Sequence, residues 1–562
     1  HAANEAALRG AGIDFDGYGR TTDPEHHRIA REFFTTLYEA GHFTEREDQQ
    51  FFDAKAGRFL PDRYVEGTCP NCGHEEARGD QCDNCGKTYD QTELKEPKSK
   101  ITGTTPELRT TRHAFLKLGD FQKQLEEYIA RHGDTWRDHV VQQARSWLRE
   151  GLNDRAMTRD LDWGIDVPLD GYEGKKLYVW FDAPFGYITN TQVVAAETGD
   201  PESWKKWWLD ETTRYVPFLG KDNIVFHTLI FPAALMGYNA RVRQTQGEDA
   251  PQYILQDVVA ANEFLNLEGE KFSKSKNWGV DLADYLERHP VDPLRYTLTA
   301  LMPETRDTDF TWRDLAARTN NELADILGNF VNRTATFARR YFDGVVPPLI
   351  AEDDSNEVAT ELSLDLVHYA ENRGPRDVLL ETLRGKQPVA LSELDRQMLG
   401  EIADAPGRIA EAYDRFRFRD ALLETMNLAR AANKYFNDTE PWKSRRESPD
   451  RAATTINICL QTVRALGILI EPVLPDTAGK IAAMFDAGAP KSTRPWYDAA
   501  ALVLPAGSPV RDPGILFAKI EDEVVAEEVA RLGVLEDVTA ESKITLDLKP
   551  EITIDDVMKL DM

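Results

Sequence analysis

The sequence predicts two architectures in series: an α/β body carrying a small metal-binding knuckle, followed by an all-α bundle. Three observations predict this. Short β-rich runs alternate with helical segments between about 176 and 272. Four of the five cysteines crowd into residues 69–85. From about 314 the apolar spacing changes to that of long amphipathic helices.

In chain order, residues 21–60 read as helix and loop, with an amphipathic run at Ile29, Phe33, Phe34 and Leu37. The cysteine knuckle occupies about 66–90. Residues 110–160 read as helical again, through HAFLKLGDFQKQLEEYI and WLREGL. KLYVWFD at 176–182 predicts a short strand closed by Ala183-Pro184, and NIVFH at 223–227 another, leading into a helix from about 228. YILQDVV at 253–259 and EFLNLEGEKF around 263–272 predict further strands, the second with a Glu-Gly turn; alternation with helices suggests a parallel sheet. LADILGNFVNRTATFARRYF, LDRQMLGEIADAPGRIAEAYDRF and TTINICLQTVRALGILIEPVL predict a helical bundle over 314–483. The Gly- and Pro-rich stretch 484–515 reads as linker, within a linker and C-terminal helix assigned to 484–540. No internal repeat or low-complexity tract is visible.

The length of 562 residues predicts three to four domains. No run approaches ~18 consecutive apolar residues, so no transmembrane helix is expected, and the start lacks a basic and apolar leader. The expected location is cytoplasmic. The net charge is −29, from 96 acidic and 67 basic residues, the latter being 43 Arg and only 24 Lys. Such an acidic, lysine-poor surface is the chemistry of a protein working in concentrated salt, where ~1 M ions shorten the Debye length to about 3 Å. A merely acidic enzyme is the alternative. Phosphate contacts usually come from a basic face, so any nucleic-acid site must be a local patch.

Cys69, Cys72, Cys82 and Cys85 form C-x2-C-x9-C-x2-C, and only Cys459 lies elsewhere. Two such knuckles place four thiolates at the corners of a tetrahedron with Zn–S near ~2.3 Å. Gly73 and Gly86, one residue past each knuckle, ease the tight turns. A pair of disulfides and a redox C-x-x-C are the other readings; two copies so close together favour one structural zinc. Four thiolates leave no open coordination position, so catalysis at the metal is not expected. His74 is a competing ligand only in name when four thiols are present.

Lys271-Phe272-Ser273-Lys274-Ser275-Lys276 places three of the 24 lysines within six residues. Flexible ammonium charges suit a triphosphate whose charge moves to the leaving pyrophosphate. A solvated loop is the bland alternative. In its context, GEKFSKSKNWGVDLADYLERHPVDPLRYTL resembles the KMSKS signature region of class I aminoacyl-tRNA synthetases. FLPDRYVEGTCPNC, LYVWFDAPFGYI and LGKDNIVFHTLIFPA, in that order, are similar to blocks of the methionyl-tRNA synthetase family, and the resemblance runs over essentially the whole chain.

That resemblance implies a Rossmann-type class I catalytic domain with a zinc-knuckle insertion, followed by an α-helical anticodon-binding bundle. It implies remaining catalytic domain and connective insertion over 1–174, the second catalytic half over 175–265, and the lysine loop with a stem-contact region over 266–313. It implies that Lys274, with Lys271 assisting, stabilises the triphosphate. It matches Gly220 and Asp222 to adenosine-binding positions, and Trp180, Ala183, Pro184, Tyr187, His227 and Phe231 to the methionine pocket. Aromatic walls suit a polarizable thioether, each sulfur–ring contact contributing ~0.3–1.5 kcal/mol. Plain core packing is the alternative for the aromatic residues and for His227 taken singly.

In NELADILGNFVNR, Leu323, Leu327 and Phe330 form an apolar seam, with Asp325, Asn329 and Arg333 spaced four apart on another face. The resemblance implies that Asn329, Arg333 and Trp442 contact the anticodon, Trp442 as a stacking surface. Asp325 departs from the family, many of whose members have Asn there.

The family's His-x-Gly-His box is absent from the sequence, and residues 541–562 resemble the opening of an OB-fold tRNA-binding module. The expectation is a chain shortened at both ends, lacking the first half of the catalytic sheet and weak or inactive in adenylate formation by itself. The implied activity is methionine–tRNA ligation, with Zn²⁺ in the knuckle, Mg²⁺ accompanying ATP, and methionine tRNA, L-methionine and ATP as partners. A homodimer through the C-terminal module is a further expectation. A non-catalytic tRNA-binding or assembly relative is the alternative reading, and an ordinary zinc-containing nucleotidyltransferase a third.

Overall fold

The helix Pro24–Glu39 begins where the sequence signals it: Asp23 accepts a hydrogen bond from the Glu25 N–H, and Pro24 occupies the first turn. Its inward stripe is His26, Ile29, Ala30, Phe33, Phe34 and Leu37. Phe33 stacks on Phe185 with ring centroids 4.2 Å apart and touches Tyr238 of the helix Phe231–Gln246 at 4.3 Å. At Gly237 an added Cβ would meet Leu37 Cδ2 at 2.5 Å, so the glycine lets the Leu37 side chain pack where it does. Each of the two buried phenylalanines contributes roughly 1.5–3 kcal/mol by leaving water.

A computed structural model describes the chain except residues 80, 81, 83, 86–88, 350–390, 486–495, 503 and 535–562, and the side chains of residues 62 and 275. The expected module at 541–562 and the Gly86 turn therefore lie outside the described residues. Two compact units result, one mainly Phe15–Asn262, the other Ala2–Asp14 with Glu263–Asp537.

In the first unit a long antiparallel ladder joins Phe43–Asp53 to Glu107–Leu116, in register from Phe43 opposite Leu116 to Phe52 opposite Glu107. Arg58–Phe59 and Arg155–Ala156 complete a four-stranded sheet. The chain between the two long strands carries the cysteine knuckle on its own small sheet, with Val65–Thr68 between Ala77–Arg78 and Lys95–Ser99. The expected helix and loop at 21–60 is thus a helix followed by a strand. HAFL at 113–116 ends a strand, and helix occupies Gln122–His132 and Asp138–Glu150.

Three expected strands move. Only Lys176–Leu177 of KLYVWFD is strand, paired with Thr158–Arg159; Val179–Asp182 is a helical turn. Phe218–Gly220, not NIVFH, forms a strand, and it pairs in parallel with Ala260–Asn262 rather than with 253–259. Residues Phe226–Ile230 form a π-helical turn running into Phe231–Gln246. The reason is burial on all sides: Ile224, Leu229 and Ile230 are all buried, and an apolar run without periodicity fits helix and strand alike. Local bonds decide for helix, with Thr228 Oγ1 donating to Ile224 O and His227 Nδ1 donating to Asn223 O.

In the second unit Leu265–Leu267 and Thr308–Phe310 form a parallel pair. The Glu-Gly turn is present, with Glu268 and Gly269 both at positive φ (49° and 82°) and Leu267 N donating to Glu270 O. The bundle contains Glu393–Asp414, Phe418–Asp438, Pro449–Leu469 and Pro475–Met484. Pro449–Leu469 is long and apolar enough to cross a membrane, yet 94% of its most apolar window is buried within the protein. Of the expected linker 484–515, the described residues from Trp496 on are not free chain. Ala499, Leu502, Leu504 and Val510 belong to the bundle core, and Trp496 Nε1 donates to Pro406 O at 2.9 Å. A single 3-10 turn, Trp496–Ala500, precedes chain whose Leu504 and Val510 pack into the core.

Candidate functional site

The segment Val179–Thr189 and the turn Lys221–Phe231 bring the expected pocket residues together within the first unit. Trp180 lies flat on Phe226, centroids 4.0 Å apart and planes 8° from parallel. The Tyr187 hydroxyl is 2.9 Å from His227 Nε2. Because His227 Nδ1–H is committed to the Asn223 carbonyl at 3.0 Å, Nε2 is the acceptor and Tyr187 the donor. Burial holds the His227 imidazole below its ordinary value and pushes the Tyr187 phenol up, so both stay neutral. Phe231 is buried and faces Tyr187 at 6.5 Å. Pro184 and Ala183 form the short turn after Asp182, whose Oδ2 lies 3.5 Å from Nε2 of His26 on the helix Pro24–Glu39.

Two rings join this cluster that sequence reasoning missed. Phe226 is the partner of Trp180. Tyr215 sits 6.0 Å from Tyr187 and 4.8 Å from Trp208, its hydroxyl buried with no hydrogen-bond partner. Neither carries a local signal, since each reaches its partner by tertiary folding. The π-helical turn at Phe226–Ile230 widens the backbone where His227 enters, a distortion frequent at functional sites.

Gly220 ends the strand Phe218–Gly220, and Asp222 follows in a single helical turn. A Cβ at Gly220 would lie 2.7 Å from the Asp222 carboxylate, so glycine is required for that carboxylate to stand where it does.

The lysine loop belongs to the second unit. Ser273 and Trp278 exchange two backbone hydrogen bonds of 2.8 Å, closing a loop whose tip is the turn Lys274–Lys276. Trp278 Nε1 donates to Leu267 O and anchors the loop on the parallel strand pair. Lys271 and Lys274 are exposed.

In the same unit Thr319–Gly328 is π-helical and Asn329–Tyr341 α-helical, where an unbroken α-helix was expected. Leu323, Leu327 and Phe330 form the buried seam as expected, while Asn329 is exposed. Arg333 lies over the Phe436 ring at 4.4 Å and donates to Asn437 Oδ1 at 2.8 Å. Trp442, 41% exposed, lies beside the same Phe436. Arg333 and Trp442 are thus brought together around one ring. Asp325 faces Lys519 at 2.9 Å.

The four sulfurs of Cys69, Cys72, Cys82 and Cys85 lie within 4.8 Å of one another. Cys69–Cys85 and Cys72–Cys82 are 3.9 and 3.6 Å apart. A tetrahedron with Zn–S ~2.3 Å has sulfur edges of about 3.8 Å, so the donor set fits zinc. Cys69 Sγ accepts from the N–H groups of Asn71 and Cys72 at 3.4 and 3.5 Å, bonds that favour thiolate. Gly73 takes φ +76° in the turn.

Family comparisons agree with this layout. The family model described as tRNA synthetases class I (M) matches residues 1–335, and that of the anticodon binding domain of methionyl tRNA ligase matches 387–537. The chain is 44% identical to a methionine–tRNA ligase of Salinibacter ruber, covering 98% of this chain and 74% of the relative. It is 42% identical to that of Chlorobaculum tepidum, covering 100% and 75%. The crystal structure of Mycobacterium tuberculosis methionyl-tRNA synthetase bound by methionyl-adenylate shares the fold, with TM-score 0.66, 22% identity, and coverage of 92% of this chain and 86% of that one. The fold and site therefore define a class I aminoacyl-tRNA synthetase. Within that class, the chain belongs to the methionyl-tRNA synthetase family, the methionine–tRNA ligases.

Proposed function

We propose that the chain carries out the family reaction with the residues described above. The methionine carboxylate attacks the α-phosphate of ATP, giving methionyl-adenylate and pyrophosphate. The terminal ribose hydroxyl of the tRNA then attacks the adenylate's acyl carbon and takes the methionyl group, the acyl–phosphate bond breaking to release AMP. No protein nucleophile is needed, because positioning and charge stabilisation lower the barrier. Trp180, Ala183, Pro184, Tyr187, His227 and Phe231 bind methionine; Gly220 and Asp222 hold the adenosine, the carboxylate bonding ribose hydroxyls. Lys274, assisted by Lys271, neutralises charge on the triphosphate, which arrives with Mg²⁺.

The observation carrying this reading is the neutral Tyr187–His227 pair set among aromatic rings. Such a wall gains sulfur–ring contact while offering one polar tip to a thioether. Asn329, Arg333 and Trp442 read the anticodon in the same proposal, by hydrogen bonding and by stacking on unpaired bases. Cys69, Cys72, Cys82 and Cys85 hold one zinc ion, which ties the knuckle together and takes no part in the reaction. Cytoplasmic residence and adaptation to concentrated salt complete the proposal.

The test is Lys274→Ala in the full-length protein. Methionine-dependent ATP–pyrophosphate exchange should fall at least ~100-fold, the scale of losing one charge-stabilising group. An unimpaired rate rejects the assignment.

A further inference from the structure

Residues 519–534 touch three places in the second unit. At the first, Asn320 Nδ2 donates to Ile520 O at 2.9 Å and Ile520 N donates back to Asn320 Oδ1 at 2.8 Å, while Lys519 Nζ lies 2.9 Å from Asp325. At the second, Glu528 of the helix Asp522–Arg531 receives both arms of the Arg288 guanidinium, at 2.9 and 2.9 Å, and His289 Nε2 lies 2.9 Å from it. At the third, just past that helix, Gly533 N donates to Asn277 O at 3.0 Å and Asn277 Nδ2 donates to Val534 O at 2.5 Å.

The third fastening falls on the exit of the lysine loop. Asn277 follows the turn Lys274–Lys276 directly and stands in the left-handed region at φ 48°, which asparagine tolerates better than most residues. Gly533 itself takes φ 74° and lies against the Trp278 ring, where a Cβ would touch Cε3 at 3.5 Å. The loop's left-handed exit and the anchoring tryptophan are therefore both met by the same segment. The middle fastening is stiff: the Glu528 side chain is only 6% exposed, and the fork from Arg288 sets its orientation. The far end reaches Asp325, one turn before Asn329 on the same helical run.

We propose that residues 519–534 form a strap that positions the lysine loop, with Asn277 the positioning residue through which it acts and Asp325 one of its anchors. This rests on the reading of Lys274 as the phosphate-binding lysine. It also gives Asp325 a role other than base recognition, as the partner of Lys519.

Three variants of the full-length protein test it. Asn277→Gly keeps the left-handed backbone and loses the amide bond. Gly533→Pro removes the N–H donor and cannot reach positive φ. Glu528→Gln weakens the middle fastening and leaves the loop residues untouched. Each should lower kcat for methionine-dependent ATP–pyrophosphate exchange and raise the KM for ATP, together roughly two- to tenfold in kcat/KM, the scale of one net hydrogen bond. The KM for methionine should stay within about twofold of wild type on the same scale. A role in packing alone would move Tm without this split. If any variant melts substantially lower than wild type, the remaining ones decide.

Wild-type exchange kinetics in Asn277→Gly and Gly533→Pro, with exchange abolished in Lys274→Ala, overturn the strap and leave the lysine reading intact. Equal rises in both KM values overturn it too. Unimpaired exchange in Lys274→Ala overturns the lysine reading, and the strap's role with it.

Discussion

His227 makes two hydrogen bonds through opposite ring nitrogens, and that fixes both its tautomer and what it can offer a ligand. Nδ1–H is committed to Asn223 O, so Nε2 accepts from Tyr187, and the phenol's remaining lone pairs are what the pocket presents. His227→Ala should therefore raise the KM for methionine far more than the KM for ATP; equal effects reject the pocket assignment. Tyr187→Phe keeps the ring and loses the donor, which should cost roughly two- to tenfold in methionine kcat/KM, the range of a net hydrogen bond. The pH dependence has a definite sign. Burial lowers the folded imidazole below its ordinary value of about 6.5, so the unfolded chain binds the proton first as pH falls. The methionine KM should stay flat through neutral pH and rise only as the pH drops well below that value. A KM that already climbs between pH 8 and 7, above the ordinary value of about 6.5, would show a charged histidine instead.

Among the elements, the bundle helix Glu393–Asp414 carries its own buried charge. Asp395 is buried and takes hydrogen bonds from the Arg451 guanidinium, from the Tyr435 hydroxyl at 2.6 Å and from the Ser392 N–H at 2.7 Å. Burial pushes its carboxyl up, and Arg451 with Tyr435 more than offsets this, leaving it below the usual value. The stability so gained is complete above the unfolded value of about 3.9 and is lost as pH falls through the lower folded one. Asp395→Ala should destabilise the bundle by about 3–5 kcal/mol, because it strands the arginine. Denaturant unfolding at neutral pH measures it, and a loss near zero would mean the pair is solvated. The knuckle makes a separate prediction: metal analysis should find about one zinc per chain, released by Cys82→Ser or by chelator. Purified protein lacking zinc would end that reading. The same elements explain what the residues made legible. Pro24–Glu39 and the cysteine spacing are local patterns, readable without tertiary context. In KLYVWFD and NIVFH the buried apolar positions Leu177, Phe181, Ile224 and Val225 follow neither a strand nor a helix period, so their turn geometry is set by the core. Phe226 and Tyr215 enter the pocket from positions remote from their ring partners, and 484–515 looked like linker because of its proline and glycine, whereas the packing of its described part from Trp496 on is supplied only by the bundle.

Over the whole molecule, 96 acidic residues face 67 basic ones, leaving an excess of 29 negative charges. Surface pairing relieves only part of this: Arg28, for example, sits between Glu25 and Glu32, and such exposed pairs contribute about 0–1 kcal/mol. The uncompensated remainder repels itself most strongly in the compact state. At 0.1 M salt the Debye length of about 10 Å lets neighbouring carboxylates feel one another, whereas near 1 M it shrinks to about 3 Å and that repulsion is screened. The melting temperature should therefore rise between 0.1 M and 2 M KCl, the two sides of that ~10 Å to ~3 Å change. Sucrose, which favours burial without screening charge, should not reproduce the steep rise at low ionic strength. A melting curve indifferent to KCl would show that the acidic excess is too dispersed to matter. The buried Asp395–Arg451 pair supplies an internal control, since salt screens buried charges far less than exposed ones. The cost of Asp395→Ala should then be nearly the same in both salts, while the stability of the whole protein shifts beneath it.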